Sequence, residues 1–480
     1  MKKSRFVALP MAMLMASFAL IGCTETTESS PSSSSGGTSG GGNTVADQLK
    51  AELSFDGETI RIVTPPGYGM INTDGTDPSL VRRDQRIEEL EAKYDVVIEQ
   101  LEGRGNYWDM MTSSIASGSP SGHILVTQEN YFVEWYKAGA FADLTDAMEK
   151  TGIDFRDSRY NQTVRQYTNI DNRQYCFSDI SLNPTGTIWF FNKRIFEEQN
   201  LGNPYEMVEN KTWTWETVGE IAAKATRKSS NGTVEQWGLG AYMHSDFLSS
   251  LAASNGSSIA GFDENGDPVL TLSDSKAMRA FEQMYDWVVQ QKIANVNDGS
   301  QTWDTFLREF TKCNMAMMAG TNKLLQFIEE SAMADDFGIV YAPMGPDVDD
   351  YTVPVSCGQM YFIPKTYESM ADKLLLLIDD LYAIPDGMTI DDLVAEKYVS
   401  KLRDEESLNY YTSMVKNSNL FIHDAYVMTK IDWTTPSIHE MCSEVLKGSR
   451  TPGDALEANR VQFQCAMEDM MEGHKVTGKA

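Results

Sequence analysis

The 480-residue chain is 41% hydrophobic and 23% charged, a globular composition with length for two or three domains. Its net charge of -29 repels nucleic acid and anionic lipid and excludes a polyanionic ligand, while a neutral solute such as a sugar remains compatible.

The chain opens with the basic stretch Met1-Lys2-Lys3-Ser4-Arg5, and Phe6 to Ile21 then carries no charge. That order reads as an export signal. Leu20-Ile21-Gly22-Cys23 resembles the bacterial lipobox, in which cleavage leaves a lipidated Cys as the new N-terminus. Residues 1–22 are thus expected to be a signal peptide and Cys23 the lipidation site. Two or three acyl chains would hold the protein firmly, since one alone binds marginally. Thr24 to Asn43 is mostly Ser, Thr and Gly, without an aromatic or aliphatic residue, and reads as a flexible tether. The tether is expected to run through 23–57. No later segment has the length to span a bilayer; Leu374 to Ile378 is a five-residue apolar run.

Beyond the tether, strand and helix alternate. Thr59–Val63 reads as a buried strand, and Leu80, Val81, Ile87 and Leu90 mark an amphipathic helix. Asp95–Leu101 reads as a strand, Tyr107–Ser117 as a helix, His123–Thr127 as a strand, and an aromatic-rich helix starts near Asn130. This pattern predicts an α/β fold with a parallel sheet covered by helices. Farther on, Gln174–Ser178 and Thr187–Phe191 read as strands, and Thr214 caps a helix. Gly261–Thr271 reads as a hairpin turning on Asn265-Gly266, and Ser273 caps a long helix. Phe337–Tyr341 and Gln359–Ile363 read as strands, and the last hundred residues as helices.

Motifs for catalysis are scarce. The five His, at 123, 244, 423, 439 and 474, form no H-E-x-x-H, and no phosphate-binding G-x-x-x-x-G-K-[ST] occurs. The formal G-x-S-x-G at 37–41 falls in the tether. Gly103-Arg104-Gly105 begins a dinucleotide fingerprint, but Trp108 replaces its third Gly. Asp263 to Asp267 imitates a calcium loop, with Pro268 where Gly is needed. The five Cys besides Cys23 (176, 313, 357, 442 and 465) are widely spaced without C-x-x-C and read as buried free thiols. Aromatic residues are more suggestive. Tyr68, Tyr131, Trp135, Tyr242, Trp303 and Trp433 fall at strand ends or loops, where rings can stack on the apolar faces of sugars. Core packing is the competing role for each.

The order of segments resembles the extracellular solute-binding proteins of family 1, the sugar receptors of ABC importers that include maltose-binding protein. The resemblance spans about Thr59 to Met471. It rests on the strand HILVT followed by YKAGAFADL (136–144), on TIWFFNKRIF (187–196), TWET (214–217) and LSDSKA (272–277). Phe310 with MAMMAG (315–320) and GSRTPGDAL (448–456) complete the series. It implies a two-lobed periplasmic-binding-protein-like fold with a ligand cleft between lobes that close about hinge-crossing strands. By analogy lobe one is 58–172 plus 314–354, and lobe two is 173–313 plus 355–480. Crossings are expected near Tyr175, Cys313 and Val355. Positions carried over as ligand-binding are Tyr68, Gln128, Glu129, Asn130, Tyr131, Asn183, Thr185, Tyr242, His244, Asp246, Asn322, Gly358 and Trp433. Asn322 stands where sugar-binding members often have Trp.

The function so implied is capture of a carbohydrate, an oligosaccharide foremost, and its delivery to the transmembrane subunits of an ABC permease. The protein is expected to be a monomer, exported and held by lipid on the extracellular or periplasmic side, without catalysis, cofactor or metal. Alternatives are a peptide or polyol receptor on the same fold, a surface carbohydrate-active enzyme, and a sensor signalling to a membrane kinase.

Overall fold

The computed structural model describes residues 44–66, 78–103, 105–180, 182–184, 186–302, 304–417, 420–432 and 434–478. The expected signal, the lipidation site Cys23 and the tether as far as Asn43 lie outside them, as do Tyr68, Thr185, Trp303 and Trp433. No described helix is long and apolar enough to cross a membrane.

In chain order, the strands used below are β1 (Glu58–Thr64), β2 (Val96–Glu102), β3 (Ile124–Gln128), β4 (Cys176–Phe177), β5 (Ile188–Asn192) and β6 (Val234–Ala241). They continue as β7 (Ala294–Val296), β8 (Met315–Gly320), β9 (Phe337–Val340), β10 (Val353–Val355), β11 (Gln359–Phe362) and β12 (Phe421–His423). A five-stranded and a six-stranded sheet result, the sixth strand of the latter, Arg227–Lys228, pairing antiparallel with β6. The first has the order β2-β1-β3-β11-β4, with β1 parallel to β2 and β3, and β11 antiparallel to β3 and β4. The second runs β7-β6-β8-β5-β9, with β6 parallel to β7 and β8, and β5 antiparallel to β8 and β9. Helices bury the sheets, giving the two-lobed α/β architecture. Ile60, Ile62, Leu90, Val126 and Tyr361 share one core, and Phe190, Met318, Phe337 and Ile339 another. The largest apolar cluster runs between the sheets, joining Leu125 and Phe132 to Trp189 and Leu239.

Strand pairing corrects the expected lobe limits. The segment 314–354 was assigned to the first lobe, yet its β8 and β9 both belong to the second sheet. The reason is local: Met315–Gly320 is wholly buried and fits edge to edge between β6 and β5. Conversely β11 was expected in lobe two and pairs with β3, matching Tyr361 to Val126 in the first core. Cys313 is no crossing, since β7 and β8 share a sheet; it sits in a left-handed turn, φ 62°. The chain passes between sheets at 178–187, just after Tyr175, and again at 341–358, around Val355. These two passages touch at Gly186: a Cβ there would stand 1.8 Å from the carbonyl oxygen of Pro354.

The tether also ends earlier than expected. Val45–Glu52 is a helix, opened by a reciprocal capping box between Thr44 and Asp47. Lys50 fixes it to the first lobe through ion pairs with Asp379 (2.5 Å) and Asp380 (2.6 Å). The predicted hairpin at 261–269 forms, with Gly266 at φ 82°. Thr214 caps the helix Trp215–Ala225. Ser273, expected as a cap, instead ends a 3-10 turn, and Asp274 takes the capping position of Ser275–Tyr285 without a side-chain bond. Among the described residues the last hundred carry four α-helices, Ile390–Leu402, Glu405–Lys416, Ile438–Leu446 and Pro452–Met471, but β12 interrupts them and pairs with β10.

Candidate functional site

The carboxyl end of β3 delivers Gln128 to Tyr131 onto the first turn of the helix Glu129–Lys137. Gln128 pairs with Gln359 across the sheet, which brings the loop carrying Gly358 (φ 62°) alongside. Glu129 is 4% exposed. Its carboxylate accepts the Cys357 backbone N–H and lies 3.0 Å from Nε2 of His423. The His423 ring stacks on Tyr167, with centroids 3.6 Å apart. Burial pushes the Cys357 thiol and the Tyr167 phenol well above their ordinary pKa values.

Tyr131, half-buried in the same turn, stacks on Trp108 at 4.9 Å and 9° between planes, with Trp135 at 5.4 Å from Tyr131. Lys430 places its ammonium 5.7 Å from the Tyr131 ring centre and pairs with Glu134. Asn130 is half-buried beside them. Trp135 is 1% exposed and backs the pair from the core, so Trp108 and Tyr131 form the apolar wall, with a cation at its edge and carboxylate and amide groups nearby.

On the second lobe, β6 ends near Tyr242, and Asp246 occupies the first turn of the helix His244–Ser254. The phenols of Tyr242 and Tyr426 both donate to Asp246, the latter at 2.6 Å. Burial, followed by the Asp246 charge, raises both phenol pKa values, so each stays a donor at neutral pH. Asp424 accepts from the backbone N–H groups of Ile259 (2.9 Å) and Ala260 (3.0 Å) and from Ser249 (2.8 Å). Thus β12 and the loop after it connect the two groups: His423 meets the first lobe, while Asp424 and Tyr426 meet the second.

Structure therefore brings Gln128, Glu129, Asn130, Tyr131 and Gly358 into one neighbourhood, and joins Tyr242 to Asp246. Asn183 lies elsewhere. It accepts from Tyr398 and lines a cavity of about 270 Å³ with Arg156, Asn161, Gln162 and Lys416. His244 is 1% exposed and each ring nitrogen is 2.8 Å from a backbone carbonyl, Asn297 or His439. That is a packing position under the helix Ile438–Leu446, and it turns no atom to a ligand. Asn322, half-buried, follows β8 and precedes the helix Lys323–Ser331, whose Leu325 N–H its carbonyl accepts. The neighbouring Thr321 hydroxyl is buried without a hydrogen-bond partner, and so is that of Thr64 at the end of β1. Sequence reading missed Trp108, Tyr167, His423, Asp424 and Tyr426. The strand end at Glu102 was a usable signal for Trp108; the three-residue β12, hidden among helices, gave none.

Comparison with known proteins agrees with the fold. The family model for bacterial extracellular solute-binding proteins matches residues 78–371. No curated protein matches. Among solved structures, the ABC substrate-binding protein Lmo0181 from Listeria monocytogenes, in complex with cycloalternan, is similar at 17% identity and TM-score 0.58, covering 87% of this chain and all of that one. The maltose/maltodextrin-binding domain MalE from Bdellovibrio bacteriovorus, bound to maltotriose, aligns at 14% identity and TM-score 0.56, over 86% and 100% of the two chains. The GacH receptor of Streptomyces glaucescens, solved unliganded and with acarbose, aligns at 15% identity and TM-score 0.55, over 88% and 99%.

Proposed function

Because this chain belongs to the bacterial extracellular solute-binding family, we propose that it captures a carbohydrate between its lobes and delivers it to an ABC permease. The observation that carries this reading is the half-buried Trp108–Tyr131 pair beside the end of β3, near polar groups supplied from the crossing segments. A sugar ring lays its apolar face on such a wall while its hydroxyls exchange hydrogen bonds with amides and carboxylates. Gln128, Asn130 and Gly358 supply the polar rim on this side, and Tyr68, Thr185, Asn322 and Trp433 complete the reading by family resemblance. The relatives crystallised with cycloalternan, maltotriose and acarbose support an oligosaccharide. In this reading lobe one comprises 58–177 with 359–381, and lobe two 188–340 with 405–471. Lipid on Cys23 and the stretch to Asn43 hold the monomeric receptor near its permease, outside the cytoplasm.

A thermal-shift screen of the chain against mono- and oligosaccharides, with peptides and polyols as controls, tests the assignment. A ligand at 100 times its dissociation constant adds about 2.7 kcal/mol to the folded state. A shift from a saccharide recovered intact supports the receptor. A shift from peptide or polyol alone overturns the carbohydrate class, and hydrolysis of the saccharide overturns the receptor.

A further inference from the structure

We infer that Glu129, Cys357 and His423 form a binding site for a divalent transition-metal ion of the zinc type, set in the segment where the lobes join. The three residues come from separate parts of the chain: the helix after β3, the passage between β10 and β11, and the end of β12. Their exposures are 4%, 0% and 7%. A carboxylate oxygen, the thiol sulfur and an imidazole nitrogen all lie within 4.8 Å of one another. Nε2 of His423 is 3.0 Å from Oε1 of Glu129 and 3.9 Å from Sγ of Cys357. Zinc bonds of 2.0–2.3 Å in tetrahedral array put neighbouring donors about 3.3–3.7 Å apart, so the two separations bracket what the ion needs.

Donor chemistry selects the ion. One sulfur, one nitrogen and one oxygen suit zinc or cobalt(II); calcium and magnesium require oxygen sets, and copper(I) prefers sulfur. Charge points the same way. A buried carboxylate next to a thiol that ionises repels it, and a dication neutralises both. His423 is held from one side only: its ring rests on Tyr167, and Nδ1 is buried with no hydrogen-bond partner. On binding, the Cys357 proton goes to solvent and the imidazole proton moves from Nε2 to Nδ1. The zinc, thiolate and carboxylate charges then sum to zero. Three protein donors leave the fourth position to water.

Cobalt(II) is the probe. The full chain, purified untagged in detergent and stripped with chelator, is titrated with cobalt(II) and then with zinc. The expected result is a thiolate-to-cobalt charge-transfer band saturating at one equivalent, bleached by one equivalent of zinc, with one proton released per ion. Cys357→Ser abolishes the band; Glu129→Gln and His423→Gln each weaken binding about tenfold or more. Cys442→Ser, altering a buried thiol in another helix, leaves the band unchanged. Absence of the band, or its survival in Cys357→Ser, overturns the site. If circular dichroism shows Cys357→Ser unfolded, His423→Gln decides: unchanged cobalt affinity there overturns the site equally.

Discussion

Replacing Asp380 by Asn tests the part-buried ion cluster that Lys50, Lys93 and Tyr94 form around its carboxylate. Asp380, about 10% exposed, receives Lys93 at 2.8 Å and Tyr94 at 2.5 Å, and pairs with Lys50 at 2.6 Å. Burial alone would raise its pKa; the bonds from Lys50, Lys93 and Tyr94 outweigh it and bring the carboxyl from 3.8 to about 2. At roughly 1.4 kcal/mol per unit, that depression is worth about 2 kcal/mol at neutral pH. Because the folded pKa lies below the unfolded one, the contribution is complete above pH 3.8 and fades as pH falls towards 2. Urea unfolding of wild type and Asp380→Asn should therefore differ by about 2 kcal/mol at pH 7 and about half that at pH 3. A difference that is absent, or the same at both pH values, would refute the reasoning.

Three further outcomes follow from the same contacts. Tyr131→Ala should weaken saccharide binding about tenfold in calorimetry, the loss of one stacking face worth about 1.4 kcal/mol, with the circular dichroism spectrum unchanged. Asp424→Ala leaves three buried backbone N–H groups and one hydroxyl unpaired, and should lower unfolding free energy by about 3 kcal/mol in urea titration. Burial, reinforced by His244, lowers the His439 pKa from 6.5 to about 4. Between those values the unfolded chain takes up a proton that the folded one refuses, so stability falls as pH drops. His439→Gln should cut the loss between pH 7 and pH 5 by about 2 kcal/mol, measured by paired urea titrations.

Legibility in the sequence tracked the length of each pattern. Long amphipathic or uniformly apolar runs, such as Leu80 to Leu90 and Ile124 to Thr127, carried enough periodicity to place β1, β3 and their helices. Assigning strands to sheets was harder. Met315–Gly320 and Gln359–Phe362 are apolar on both faces, and nothing within either run states which neighbour it pairs with. The candidate site divides along the same line. Gln128 to Tyr131 follow a legible strand, whereas His423 and Tyr426 are positioned by a three-residue strand whose only support is tertiary pairing with Val353–Val355. His244 was misread because a residue after a strand end and a residue buried under a helix look identical in sequence.

Contacts between the lobes rank by burial, and that ranking says where opening begins. Arg82 bonds Glu396 at 2.7 Å, linking the helix Pro78–Tyr94 to Ile390–Leu402, with both side chains 27% exposed. Lys430 pairs with Glu134 at 26% and 51% exposure. Pairs this wet are worth about 0–1 kcal/mol each, so parting them costs little. His423 and Glu129, with side chains 2% and 4% exposed, are different. Separating them leaves a buried donor and acceptor unsatisfied in a dry interior, at about 1–3 kcal/mol. The β10–β12 ribbon is thus held to both lobes, by His423 on Glu129 and by Asp424 on Ser249, Ile259 and Ala260, and rotation should begin where Lys430 and Glu396 let go. Hydrogen exchange without ligand is the check. The paired amides of Val353–Val355 and Phe421–His423 should exchange as slowly as those of β3, and those near Lys430 and Glu396 should speed up. Fast exchange across the ribbon would place the hinge at the buried pair instead.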